Sequence, residues 1–140
     1  MYIGVIDGQG GGVGRALVAE LKARLPQHRI VALGTNGMAT SAMIRAGAQE
    51  AATGENAIAV TVQRCDVITG PIGIVLANAM LGELTPHMAQ SIGSSAALKV
   101  LLPMPQSRVR IAGYVEQPLS QLVARAVEQI CQYVTESAGC

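Results

Sequence analysis

The stretch DGQGGGVG, residues 7–14, places five glycines within seven positions, directly after the short apolar run at residues 2–6. Apolar residues then recur every four positions, at Val13, Leu17, Leu21 and Leu25. An apolar run, a glycine-rich turn and a helical period predict a strand, a tight turn and an amphipathic helix of about three turns, closed by Pro26. Such a turn either holds a phosphate on its backbone amides or only reverses the chain.

Predicted strands and helices alternate along the rest of the chain. Further strands are predicted at residues 30–33, 49–52, 66–69, 98–102 and 109–114. Asn36 can cap a helix that carries Met38, Ala42 and Met43 inward, and Thr53 can cap the next helix. An apolar helix is predicted over residues 72–81, after Pro71, and further helices are predicted to begin after Thr85 and Pro118. The alternation predicts one domain, residues 1–140, in the α/β class: a doubly wound, mostly parallel sheet of about six strands with helices on both faces. The PMPQS link before the last strand is too short for a crossover, which favours an antiparallel last strand.

Composition narrows the function classes. Only 14% of the residues are charged, against roughly 25% in an ordinary soluble domain, so we expect a homo-oligomer that covers part of its apolar surface. A net charge of +1 and an aromatic content of 2% give nothing that attracts or stacks on nucleic acid. Nucleic acid is therefore not expected as a partner.

The three cysteines, Cys65, Cys131 and Cys140, lie far apart without a CxxC pair, and the chain has only two histidines. We predict neither a zinc site nor a disulfide framework, and free thiols in a reducing cytoplasm. No basic segment followed by an apolar one opens the chain. The uncharged stretch at residues 67–82 is shorter than the roughly 20 residues of a membrane span. A cytoplasmic protein without a membrane partner is expected.

Four predicted turns follow the carboxyl ends of strands, and each combines glycine with a short polar side chain: DGQGGGVG, GTNGMATS, TGEN and TGPIG. In parallel sheets these turns meet at one edge, where ligands collect. Glycine permits a close approach of backbone to ligand, and the amides at a helix start bind anions. The predicted binding residues are Gly8, Gly10, Gly11, Gly12, Gly14, Arg15, Thr35, Asn36, Thr53 and Gly70.

In the register GxxxGxG, on Gly8, Gly12 and Gly14, the first turn resembles the cofactor loop of short-chain dehydrogenases, over roughly the first 35 residues. The resemblance implies NAD or NADP. NAD-binding sites carry Asp or Glu after the second strand, where this chain has Gly34, Thr35 and Asn36, so we expect an NADP-like nucleotide. The YxxxK pair of those enzymes is missing, and their catalysis is not carried over.

Four side chains near the predicted edge are candidates for chemistry, and each has a plain structural alternative. Asp7 either accepts hydrogen bonds from its own turn or faces the crevice as a metal ligand or acid/base. Glu55 and Glu83 are either acid/base or ribose ligands, or carboxylates that favour helix starts. His87 either transfers protons or lies on the surface. Whether the protein is an enzyme stays open.

Over most of residues 7–86 the chain is similar to short bacterial proteins grouped as a domain of unknown function. The phrases that carry this similarity are DGQGGGVG, GTNGMATSAMIRAGA, ATGENAI and DVITGPIGIVLANAMLGELTP. The resemblance implies a Rossmann-like fold and brings no activity. Two hypotheses remain: a nucleotide-binding protein, or a non-catalytic oligomeric module or sensor that binds a small anionic metabolite.

Overall fold

A computed structural model describes residues 1–104 and 108–138. Its sheet consists of β1 (Tyr2–Asp7), β2 (Arg29–Gly34), β3 (Glu50–Thr53), β4 (Val67–Pro71) and β5 (Leu98–Leu102). All pairings are parallel, in the order β3-β2-β1-β4-β5. The predicted doubly wound, Rossmann-like α/β class is confirmed.

The helices are α1 (Gly12–Arg24), α2 (Gly37–Arg45), α3 (Glu55–Thr61), α4 (Pro86–Ser94) and α5 (Leu119–Ala138). Two apolar clusters separate them into layers. One cluster joins α1, α2 and α5 to the sheet through residues such as Leu17, Met43 and Ile130. The other joins α3 and α4 through Ile58 and Ile92. Helices therefore cover both faces of the sheet, as predicted.

Local capping explains where α2 and α4 begin. The Asn36 side chain accepts a hydrogen bond from the Ala39 amide at 2.9 Å, and the Thr85 hydroxyl accepts one from the Met88 amide at 3.1 Å. Both caps satisfy an amide that the first helical turn leaves open. The predicted cap at Thr53 is wrong, because Thr53 ends β3 and α3 follows Gly54 without a side-chain cap.

The sixth, antiparallel strand at residues 109–114 is also wrong. Within residues 1–104 and 108–138 the sheet has five strands, and residues 109–114 include a turn in which the Tyr114 amide donates to the Ile111 carbonyl at 3.1 Å. Gly113, with φ of 85°, suits that reversal. Ile111 is 39% exposed, so its apolar side chain has no layer that would hold a strand in place.

The apolar helix predicted after Pro71 is wrong, because only residues Ile72–Val75 are helical there and they form a single 3-10 turn. The chain then forms an irregular loop, residues 76–84, which we call the covering segment. Asn78, Met80 and Leu81 have left-handed backbone angles in this loop, which an α-helix excludes. Met38 was predicted to face inward, and its 69% exposure corrects that assignment.

Within residues 1–104 and 108–138, no helix is long and apolar enough to cross a membrane.

Candidate functional site

The carboxyl edge of the sheet brings the predicted turns together. The β1 turn, the β2 turn and the covering segment after β4 are joined there by hydrogen bonds between Gln9, Thr35, Asn36 and Glu83. The chain leaves β1 toward β2 and leaves β4 toward β5, so the strand order reverses between β1 and β4. Ligands of doubly wound sheets bind at such a reversal.

Asp7 lies beneath the glycine-rich turn and is 5% exposed. Its carboxylate accepts hydrogen bonds from the Gly8 amide at 2.8 Å and the Gly14 amide at 2.7 Å. Of the two interpretations from sequence, the structure shows the one in which Asp7 holds its own turn. Burial raises the pKa of this carboxyl, against the amides of Gly14, Gly8 and Val13, which lower it.

The amides of the turn are only partly used. The Gln9 amide donates to Glu83 at 2.9 Å, and the Gly11 amide donates to the Gly8 carbonyl at 2.9 Å. The amides of Gly10 and Gly12 take part in none of the hydrogen bonds that the described residues form. Gly12 opens α1, so its amide lies at the positive end of the helix dipole.

The five glycines of the turn fall into two groups. A Cβ on Gly8 would lie 2.6 Å from the Met80 sulfur, and one on Gly14 would lie 2.9 Å from the Asp7 Cβ. Gly11 has a φ of 74°, and its Cβ would lie 2.8 Å from the Ala39 Cα. These three glycines permit close packing of the chain on itself. A Cβ on Gly10 or Gly12 would meet nothing within 4 Å, so these two expose their backbone to the outside.

Glu83 reaches the end of β2 from the covering segment. Its Oε1 accepts hydrogen bonds from the Gln9 amide at 2.9 Å, the Thr35 hydroxyl at 2.7 Å and the Asn36 side-chain amide at 2.8 Å. These bonds, the Gln9 amide first, lower the pKa of Glu83 and favour the carboxylate form. The sequence had marked Glu83 as a candidate, but nothing in it indicated these partners.

The other predicted residues lie at different distances from this cluster. Arg15 is exposed on the first turn of α1, and Thr53 is exposed at the end of β3, bonded to the Thr40 hydroxyl at 2.7 Å. Glu55 accepts a hydrogen bond from the Thr85 hydroxyl, while His87 is exposed on the first turn of α4. Gly70 is buried in the sheet, packed against the Ile6 carbonyl.

Two features of this edge were missed from the sequence. Gln9 has a left-handed φ of 50°, and its carbonyl accepts a hydrogen bond from the Asn36 side chain at 3.0 Å. Met38 presents its side chain to solvent one residue after Gly37, beside the Asn36 cap. An exposed methionine next to polar groups provides an apolar contact for a flat ring.

No cluster of three or more histidine, cysteine or acidic side chains that could hold a metal ion occurs among the residues that the structure describes. The described cysteines, Cys65 and Cys131, are free thiols, and Cys140 lies outside the described residues. Burial raises the pKa of Cys65 to about 11, which keeps this thiol protonated near neutral pH.

The fold and the glycine-rich first turn define a doubly wound, Rossmann-like α/β protein. A family profile described as "Domain of unknown function (DUF3842)" matches residues 2–135. The chain belongs to that family. No curated protein matches it, and no solved structure matches it.

Proposed function

We propose that this protein binds a nucleotide or dinucleotide at the carboxyl edge of its sheet. The observation that carries the proposal is the pair of unused amides at Gly10 and Gly12, two exposed glycines at and just before the start of α1. Unused amides at a helix start attract a phosphate group. The proposal concerns binding and assigns no catalytic step to Asp7, Glu55, Glu83 or His87.

Arg15 supports the phosphate position. It is exposed one turn into α1 and takes part in none of the ion pairs within the described residues. Asp7 opposes a phosphate less than its sequence position suggests, because it is buried under the turn and two amides neutralise part of its charge. An incoming phosphate would meet the two amides and the guanidinium before it met this carboxylate.

The rest of the nucleotide would extend along the edge toward β2. Thr35 and Asn36 lie there half-buried, next to Glu83, and supply polar groups for a sugar. Met38 offers the exposed apolar surface that a base needs on one face. Phosphate, sugar and base positions therefore follow one another from α1 to α2, as in other doubly wound nucleotide-binding proteins.

The test is thermal and chemical unfolding of the protein with NADP, NAD, ATP, FMN and inorganic phosphate. A ligand at about one hundred times its dissociation constant adds roughly 2.7 kcal/mol to the free energy of unfolding. We expect at least one nucleotide to stabilise the protein more than phosphate does at equal concentration. A response to phosphate alone would favour the second hypothesis, a module or sensor for a small anionic metabolite, and no response to any of the nucleotides would contradict the proposal.

Gly12→Ala separates ligand binding from folding. Its new methyl group meets nothing within 4 Å of the folded chain, so stability should change by less than about 1 kcal/mol. The added methyl group narrows the approach of a ligand to the exposed backbone at Gly12, and we expect nucleotide affinity to fall about tenfold, a loss of roughly 1.4 kcal/mol. Isothermal titration calorimetry and denaturant unfolding on the same samples measure both quantities. Unchanged affinity would remove Gly12 from the site.

The homo-oligomer stays a proposal, supported by exposed apolar side chains. Leu81 is 99% exposed on the covering segment, and large exposed apolar groups mark contact surfaces. Leu81→Ser should lower the mass measured by light scattering if this residue lies in the contact. Ile72 and Met80 are less suitable targets, since Ile72 is half-buried and Met80 packs against Gly8. A wild-type mass of 14.4 kDa would contradict the proposal.

A further inference from the structure

The covering segment supplies, from a distant part of the chain, an acidic group that the β2 turn lacks. Residues 34–44, which end β2 and form most of α2, contain neither an acidic nor a basic side chain. In dinucleotide-binding folds, an acidic side chain after the second strand accepts hydrogen bonds from the ribose hydroxyls, whereas an arginine there accommodates a 2′-phosphate. Glu83 lies 2.7 Å from Thr35 and 2.8 Å from Asn36, measured between hydrogen-bonded atoms. Its carboxylate thus takes up the place that the local sequence leaves neutral.

The two oxygens of Glu83 are used unequally. Oε1 accepts all three hydrogen bonds, from Gln9, Thr35 and Asn36. Oε2 takes part in none of the hydrogen bonds formed within residues 1–104 and 108–138. Three donors on one oxygen fix the carboxylate in position, and the second oxygen keeps its capacity to accept. A group fixed in this way recognises a hydroxyl donor without first having to be ordered.

The negative charge of Glu83 would distinguish a ribose with a free 2′-hydroxyl from one that carries a 2′-phosphate. The hydrogen bonds that hold Glu83, first from the Gln9 backbone amide and then from the Thr35 and Asn36 side chains, favour its ionised form, so it accepts from a hydroxyl and repels a second anion. Arg15 belongs to the first turn of α1, and the first basic residue of α2 is Arg45, in its last turn. A 2′-phosphate at the start of α2 would therefore meet a carboxylate and no cation of that helix.

We infer that Glu83 makes this site selective for a nucleotide whose ribose hydroxyls are free, and that it discriminates against a 2′-phosphate. Thr35, Asn36 and the Gln9 amide act as positioning groups for the carboxylate. The inference rests on the proposed nucleotide function and changes its expected ligand from the NADP class, favoured by the sequence alone, to the NAD class.

The experiment compares the dissociation constants of 5′-AMP and adenosine 2′,5′-bisphosphate, which differ only in the 2′-phosphate, by calorimetry at fixed ionic strength. NAD and NADP form a second pair. We expect the wild-type protein to bind the free-hydroxyl member of each pair at least about tenfold more tightly. Glu83→Gln removes the charge and keeps an amide oxygen that can accept the three internal bonds, and it should reduce the ratio about tenfold.

Glu20→Gln is the matched control, because it makes the same change of charge in the second half of α1, away from the turn. Its ratio should equal that of the wild type. If the wild type binds both members of a pair equally, or if Glu83→Gln leaves the ratio unchanged, the selectivity assigned to Glu83 is wrong while nucleotide binding stands. If no member of either pair binds, the proposed function itself fails, and the selectivity fails with it.

Discussion

Gly70→Ala is expected to lower the free energy of unfolding by about 3 kcal/mol or more. Gly70 lies in β4, and a Cβ there would overlap the backbone carbonyl oxygen of Ile6 in the neighbouring strand β1. A backbone atom in a central strand cannot move aside as a flexible side chain can. The two strands would have to separate where the sheet is fully buried.

Urea unfolding followed by circular dichroism measures this loss. Gly93→Ala serves as the control, since a Cβ on Gly93 meets nothing within 4 Å and Gly93 lies inside α4. Alanine in a helix is more favourable than glycine by roughly 1 kcal/mol, so this variant should be as stable as the wild type or more so. Equal midpoints for Gly70→Ala and the wild type would contradict the tight contact between β4 and β1.

This use of Gly70 differs from the one that the sequence suggested. Four glycine-bearing turns at one edge predicted a common ligand crevice, and the sequence could not distinguish a glycine that admits a ligand from one that admits another strand. Gly8, Gly11, Gly14 and Gly70 all make room for the chain itself. Only the surroundings in three dimensions identify Gly10 and Gly12 as the glycines that face outward. Which glycines contact a ligand stays a prediction.

The fold could be predicted where turn residues, helix caps and the spacing of apolar residues all indicated the same element. The glycine-rich turn, the four-residue apolar period of α1, and the caps at Asn36 and Thr85 all act within a few residues, and each lies where the sequence placed it. The covering segment was wrongly predicted to be largely helical, because its run of apolar residues is typical of a buried helix. Its backbone instead follows contacts with distant residues, including Gly8 and Gln9.

The position of Glu83 depends on that same segment. Forty-eight residues separate it from Thr35 in sequence, and a helix over residues 72–81 would have pointed the chain elsewhere. Glu83 could therefore be identified as a candidate from the sequence, but its position beside β2 could not be predicted. NADP was favoured because the residues that directly follow β2 include no acidic side chain. Asp7, in contrast, forms its hydrogen bonds within seven residues, which is why its role was one of the interpretations open from sequence.

Asp7→Ala is expected to cost about 3 kcal/mol of stability, because it leaves the buried amides of Gly8 and Gly14 without an acceptor. Asp7→Asn should cost less, since its one side-chain oxygen can satisfy one of the two amides while its NH2 group faces the other. Denaturant unfolding of the wild type and both variants at neutral pH measures this order. Equal stability of all three proteins would show that the turn holds its shape without the carboxylate.

The pH dependence separates the charge of Asp7 from its hydrogen bonds. Because burial raises the pKa of Asp7 in the folded protein, the protonated form contributes stability that is present in acid and is lost as the pH rises through the folded pKa. Asparagine does not titrate, so the stability difference between the wild type and Asp7→Asn should be larger at about pH 3 than at about pH 7. Glu83 acts in the opposite sense, since its pKa is lowered and its stabilisation is lost as the pH falls. Subtracting the two curves cancels the groups that do not interact with Asp7, whereas Glu83, whose charge is the last of the causes that raise the pKa of Asp7, leaves a remainder. A stability difference that grew toward neutral pH would mean that the amides of the turn stabilise the charged Asp7 carboxylate more than burial destabilises it. In that case the carboxylate itself would be the anion bound by the turn.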